Sequence, residues 1–186
     1  MINRLISILF LLCLCVGCQQ KIKGPAYVGE MRKTFEEFAE QTSEKYELEW
    51  FRMGIGFAAG VGRLIDSYRC HYAFNFISSK SLDHDEVQVL ATNIAHDLVE
   101  WMFNNKAYAE WLVESHKIMP KSYPSTEPEV ENVGFKLTFW DENVDRPLAP
   151  YIAQVRFVEG ELRYYYADPE TQALKEPPLV EKYHHH

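Results

Sequence analysis

Apolar residues at every second position of segment 64–78 constrain the fold more than any other feature of the sequence. One face of this predicted strand carries the apolar set Tyr68, Cys70, Tyr72, Phe74 and Phe76. The other face carries the polar set Ser67, Arg69, His71 and Asn75. Such alternation is typical of a strand that packs on a core with one side and faces water with the other. We therefore predict a sheet with one covered face and one open face.

Two segments have the three- and four-residue apolar spacing of amphipathic helices. The first covers residues 30–48, and the second begins after Asp83 and runs to about Val113. Asp83 and Glu86 have the spacing of a capping box, which fixes the predicted start of the second helix. The predicted buried face of this helix comprises Val87, Leu90, Ile94, Leu98, Trp101, Met102, Tyr108 and Leu112.

The remaining strands follow from alternation and from turn residues. We predict strands at 50–60, 133–140, 151–158 and 161–167, the last two forming a hairpin at Glu159-Gly160. The element order is then α-β-β-α-β-β-β, and short connections favour antiparallel pairing. The prediction is a single α+β domain with an antiparallel sheet of about five strands and two helices on one face.

The N-terminal residues have the features of an export signal. Arg4 precedes an apolar run from Leu5 to Val16, which is shorter than the roughly 20 residues that span a bilayer. The run ends in Val16-Gly17-Cys18, which resembles the lipobox of bacterial lipoproteins except that Cys15 stands where leucine is usual. The resemblance implies cleavage before Cys18 and acylation of that cysteine with chains such as palmitate.

This resemblance also implies a location and a domain plan. Gln19, rather than aspartate, follows Cys18, which implies the outer membrane if the host is Gram-negative. We expect a signal peptide at 1–17, a lipidated N-terminus and tether at 18–29, one α+β domain at 30–175 and a polar tail at 176–186. The implied location is the cell envelope, with attachment to the membrane through the lipid.

Charge argues against one class of partner. The chain has 19 Lys and Arg against 27 Asp and Glu, a formal net charge of −8. Nucleic acid backbones repel such a surface, so we expect no nucleic acid partner. The domain has one further cysteine, Cys70, which cannot form a disulfide within the domain, so the fold must rely on its hydrophobic core.

Three patterns invite a chemical interpretation, and each has a structural one that we favour. Gly54-x-Gly56-x-x-Ala59 matches a loosened dinucleotide motif, but that motif requires a helix directly after the strand. Cys70 and His71 are adjacent, and adjacent strand residues point to opposite faces, so they cannot form a catalytic pair.

Histidine offers no stronger case. His84, His96 and His116 lack the spacing of known metal motifs, and His96 with Glu100 fits a surface pair on a helix. We therefore expect neither a metal nor a cofactor.

A binding face on the sheet is the remaining candidate. Its predicted residues lie on the open side of neighbouring strands and are Arg69, His71, Asn75, Trp140 and Arg156. Arginine and tryptophan are enriched where proteins bind one another. The sequence thus favours a non-enzymatic envelope protein that binds or assembles a protein partner. The alternatives are a carrier of a small or lipid-like ligand and an envelope-acting hydrolase, and the ordinary explanation of the face is solvation.

Overall fold

A computed structural model of the chain describes residues 26–57, 70–118, 125–130, 133–139, 146–148 and 150–184. Of these, residues 26–32, 51–57, 70–73 and 118 are described by their backbone alone. The described elements are, in chain order, α1 (Ala26–Tyr46), β1 (Glu49–Phe57), β2 (Cys70–Ser78), α2 (His84–Asn104), α3 (Lys106–Ile118), β3 (Val133–Phe139), β4 (Gln154–Val158), β5 (Glu161–Tyr165) and β6 (Leu179–Lys182). The predicted α+β class is confirmed.

The strands form one mixed sheet. In the described ranges it has six strands, which lie side by side in the order β1-β2-β3-β4-β5-β6. Neighbours pair antiparallel except β2 and β3, which are parallel. The expectation of purely antiparallel pairing is therefore wrong for this pair. The connection from β2 to β3 contains α2 and α3, and a helical crossover is what allows two strands to run in the same direction.

The sixth strand lies in the segment predicted as a polar tail. β6 pairs antiparallel with β5 at the edge of the sheet. Glu181 fixes it there, because its carboxylate accepts hydrogen bonds from the Tyr164 hydroxyl at 3.0 Å and from Gln88 Nε2 at 2.7 Å. The prediction of about five strands is thus one short, since four residues after two prolines carry little strand signal of their own.

The helix after Asp83 begins as predicted and then divides. The Glu86 amide donates to Asp83 Oδ1 and the Asp83 amide donates to Glu86 Oε2, both at 2.9 Å, which completes the capping box. The helical run ends at Asn105, where φ is −91° and ψ is 105°. Asn105 Oδ1 accepts from the Tyr108 amide at 2.9 Å and so caps α3. Three described helices therefore replace the two predicted.

The start of α1 and the regularity of β1 also differ from prediction. α1 begins at Ala26, inside the segment expected to be a tether. The pairing of β1 with β2 shifts by one residue between Phe51 and Gly54. This shift is a β-bulge, so the alternation predicted for residues 50–60 does not run through the whole strand.

The core lies between one face of the sheet and the helices. The predicted faces of β2 and β3 are confirmed where side chains are described, since Phe74, Phe76, Phe135, Leu137 and Phe139 are all buried. Aromatic rings join the layers: the Phe35 ring of α1 lies 5.6 Å from Phe74 in the sheet and 6.0 Å from Tyr108 in α3. The helices therefore cover one face, and the opposite face of the sheet is where polar side chains collect.

Candidate functional site

Three cations stand side by side on the open face of the sheet. Lys136 of β3 lies directly opposite Arg156 of β4, and Arg156 lies directly opposite Arg163 of β5. Asn75 of β2 extends the line, because it is the register partner of Lys136. All four side chains are half-buried. We call Lys136, Arg156 and Arg163 the cationic row.

A second line of residues lies beside the cationic row and supports it. Its members are register partners of one another and lie two residues from the cationic row on the same strands: Thr138 on β3, Gln154 on β4 and Tyr165 on β5. These residues are 8%, 6% and 4% exposed. We call these three the support row. On β4, Gln154 and Arg156 are two residues apart and therefore share a face.

The support row holds the Arg156 guanidinium in one orientation. Arg156 Nε donates to Gln154 Oε1 at 2.7 Å, and Gln154 Nε2 donates to Thr138 Oγ1 at 3.2 Å. The guanidinium carbon lies 4.6 Å from the centroid of the Tyr165 ring, within cation–π range. Within the described ranges, Nε is the only guanidinium nitrogen of Arg156 that makes a hydrogen bond, so the donors of Nη1 and Nη2 are available there for another acceptor.

The three cations differ in whether a carboxylate pairs with them. Arg163 Nη2 pairs with the Glu161 carboxylate at 3.0 Å and with that of Glu159 at 3.5 Å. Within the part of the chain that the structure describes, no carboxylate pairs with Lys136 or Arg156. The unneutralised positive charge of the row is therefore concentrated at these two adjacent side chains.

The arrangement includes contacts that oppose stability. Like charges directly opposite each other on neighbouring strands are unfavourable, and Lys136 and Arg156 lie opposite each other with no carboxylate partner among the described residues. Removing the polar side chains of Thr138 and Gln154 from water also costs free energy of folding. Their mutual hydrogen bond offsets that cost. Locally unfavourable groups that the fold does not need are typical of binding sites.

The five residues predicted for the binding face differ in how the structure describes them. Asn75 and Arg156 lie on the open face as predicted, two strands apart in the line through Lys136. His71 is placed on β2 opposite Gly56, and only its backbone is described. Arg69 and Trp140 lie outside the described residues.

Sequence reasoning missed Arg163 and Tyr165, although a signal for both was present. Glu159 and Gly160 have φ of 55° and 72°, as the two central residues of a tight hairpin turn require. Counting outward from that turn pairs Arg156 with Arg163 and Gln154 with Tyr165. The turn thus determines which residues complete the cationic row and the support row.

A second candidate site is a polar cleft between α1 and α2. It has a volume of about 360 Å³ and is lined by Phe38, Gln41, Thr42, Lys45, Asp97, Glu100, Trp101 and Asn104. Asp97 accepts from Lys45 Nζ at 2.7 Å and from the Tyr46 hydroxyl at 2.7 Å. Burial, and then the bond to Asp97, raises the pKa of Tyr46. The main charged group of the cleft is therefore already used to hold the two helices together.

The remaining sequence motifs do not assemble into a site. Gly54 and Gly56 lie in β1, which pairs antiparallel with β2 and thus does not belong to a strand-helix-strand unit of dinucleotide-binding type. His96 Nδ1 lies 3.9 Å from Glu100 on the surface of α2, and His84 Nδ1 lies 3.1 Å from the Tyr166 hydroxyl. Among the described residues, no three His, Cys, Asp or Glu side chains converge to hold a metal.

Comparison with protein-family models, with curated proteins and with solved structures finds no match to this chain. Of the helices in the described ranges, none is both long enough and apolar enough to cross a membrane.

Proposed function

We propose that this chain is an exported, lipid-anchored protein of the cell envelope whose domain binds a protein partner without catalysing a reaction. The lipobox-like Val16-Gly17-Cys18 supports the anchor and the location, which is the outer membrane in a Gram-negative host. The observation that carries the binding role is the cationic row with its buried support. Arginine is, with tryptophan and tyrosine, one of the side chains enriched at the energetic centre of protein interfaces.

Of the two alternatives, the ligand carrier has the more specific structural requirement. A carrier of a lipid-like ligand needs a cavity between the sheet and the helices. In the described part of that layer, the buried side chains Phe35, Phe74 and Tyr108 pack ring against ring. The geometry therefore favours binding on the open face over binding inside the domain.

The experiment is a cross-linked pull-down of the full chain from native membranes. Arg156→Glu reverses the charge at the centre of the cationic row, and we expect it to reduce capture of the partner at least tenfold. Lys106→Glu is the matched control, because the Lys106 side chain is 90% exposed at the start of α3, away from the sheet. Equal capture by wild type and Arg156→Glu would contradict the proposal.

A further inference from the structure

We infer that the group recognised by the cationic row is a carboxylate on an extended acidic segment of the partner protein. This inference rests on the proposed function and names the chemistry of the contact. It places one carboxylate against the Nη1 and Nη2 donors of Arg156 and within reach of Lys136.

Geometry favours a carboxylate over other acceptors. A guanidinium presents two parallel donors, and a carboxylate presents two oxygens at the matching spacing. Gln154 and Tyr165 fix the plane of the Arg156 group by one hydrogen bond at 2.7 Å and one ring contact at 4.6 Å. Fixing the guanidinium before binding reduces the conformational entropy lost in the complex.

The spacing of the cationic row is compatible with an extended segment. Register partners on neighbouring strands lie about 5 Å apart, so the row from Lys136 to Arg163 spans about 10 Å across three strands. Alternate residues of an extended peptide lie about 7 Å apart on one face. Alternate residues of an extended segment share one face, so two acidic residues with one residue between them can meet Arg156 and Lys136 together.

Charge elsewhere on the chain limits where an acidic segment can bind. The chain as a whole carries −8, so an acidic segment is attracted only where local positive charge, as at the cationic row, outweighs the general repulsion. The Glu159 and Glu161 carboxylates neutralise Arg163 at the end of the row next to β6. They also direct an incoming acidic residue toward the other end, where Arg156 and Lys136 lie.

The test measures fluorescence anisotropy of labelled peptides with the full chain in a zwitterionic detergent. The probe alternates acidic and neutral residues as Glu-Thr-Glu-Thr-Glu, and the matched probe replaces every Glu with Gln. We expect the acidic probe to bind at least tenfold more tightly and to weaken as NaCl is raised. Equal affinity of the two probes would overturn the inference.

Variants separate the recognition of a carboxylate from simple charge attraction. Arg156→Lys keeps the charge and loses the planar pair of donors, so we expect about tenfold weaker binding of the acidic probe. Gln154→Met removes the hydrogen bond that positions the guanidinium, so we expect the acidic probe to bind severalfold more weakly. The unfolding midpoint of this variant is measured in parallel. Lys106→Gln is the charge control and should bind as wild type does. Wild-type affinity in Arg156→Lys would overturn the inference.

Competition distinguishes a carboxylate from a phosphate ligand. Inorganic phosphate and glycerol 3-phosphate, the soluble part of a lipid head group, should displace the probe only as far as their ionic strength predicts. Displacement beyond that would overturn the inference in favour of a phosphate site. If Arg156→Glu still lost the partner in the pull-down, the proposed function would stand while the carboxylate assignment failed.

Discussion

Gly134 of β3 shows how little room the sheet leaves beside the cationic row. A Cβ atom at this position would lie 2.1 Å from the carbonyl oxygen of Phe157 on β4, far inside any tolerated contact. We expect Gly134→Ala to lower the free energy of unfolding by about 1–3 kcal/mol, because the two strands must separate to admit the methyl group. Urea unfolding measures the change.

The matched control for that substitution is Gly160→Asn. Among the described residues, a Cβ atom at Gly160 meets only the Val130 side chain, at 3.6 Å, and asparagine adopts a φ of +72° more readily than most residues. Because a side chain at this φ carries some backbone strain, its expected loss is up to about 1 kcal/mol, below that of Gly134→Ala. Equal losses in the two variants would show that the close approach of Gly134 to β4 is not what makes glycine necessary.

Tyr164 makes the stability of the domain decrease as the pH rises in the alkaline range. Burial, and then its hydrogen bond to the Glu181 carboxylate, raises the pKa of Tyr164 above the ordinary 10.0. Below pH 10.0 both folded and unfolded chains keep this proton, so its contribution to stability is complete. Above that pH the unfolded chain loses the proton first, so stability falls as pH rises toward the folded pKa.

Unfolding in urea at several pH values between 8 and 11 tests this linkage. Tyr164→Phe removes one ionising group, so we expect its stability to fall less steeply above pH 10.0, by at most about 1.4 kcal/mol per pH unit. Tyr46 and Tyr183, whose pKa values are also raised, stay in the variant and keep part of the slope. Parallel curves for the two proteins would contradict the assignment to Tyr164.

At the scale of elements, Asn105 separates two helices that share one apolar face. Its side chain caps α3 through the Tyr108 amide at 2.9 Å, and its carbonyl accepts from the Ala109 amide at 3.1 Å. We expect Asn105→Ala to lower the free energy of unfolding by about 1 kcal/mol, and Asn105→Ser to keep most of the stability. Thermal unfolding compares them, and a serine variant as unstable as the alanine one would argue against a capping role.

What the sequence predicts at this scale depends on how local the determining contact is. The capping box at Asp83 and the turn at Glu159-Gly160 involve residues within three positions of one another, and the structure has both. The break at Asn105 was not predicted, because the apolar period continues past it from Met102 to Tyr108. β6 depends on Tyr164 and on α2, which are far away in the chain, so its residues alone do not reveal it.

The same distinction applies to the candidate site. Alternation along single strands is enough to place Asn75 and Arg156 on the open face. It does not give the neighbours across strands, and the parallel pairing that brings Asn75 opposite Lys136 follows from the helical crossover. The role of Tyr165 as a platform for Arg156 is a contact between strands that no pattern along one strand contains.

At the scale of the whole molecule, the proposed function combines two features that lie far apart in the sequence, the proposed lipid anchor at Cys18 and the proposed binding row between residues 136 and 163. Because anchoring acts through local concentration at the membrane, it should raise capture of a membrane partner without changing the intrinsic affinity of the row. We therefore expect Cys18→Ala to move the chain from the detergent phase to the aqueous phase in a Triton X-114 partition. Its affinity for the acidic probe and its unfolding midpoint should equal those of wild type.

Arg156→Glu should give the opposite result, with wild-type partition and lost probe binding. The two variants therefore separate attachment from recognition within one chain. A Cys18→Ala protein that still entered the detergent phase would contradict acylation of Cys18. If it instead lost affinity for the soluble probe, the row would depend on the N-terminal region, and the described domain would not be the complete binding unit.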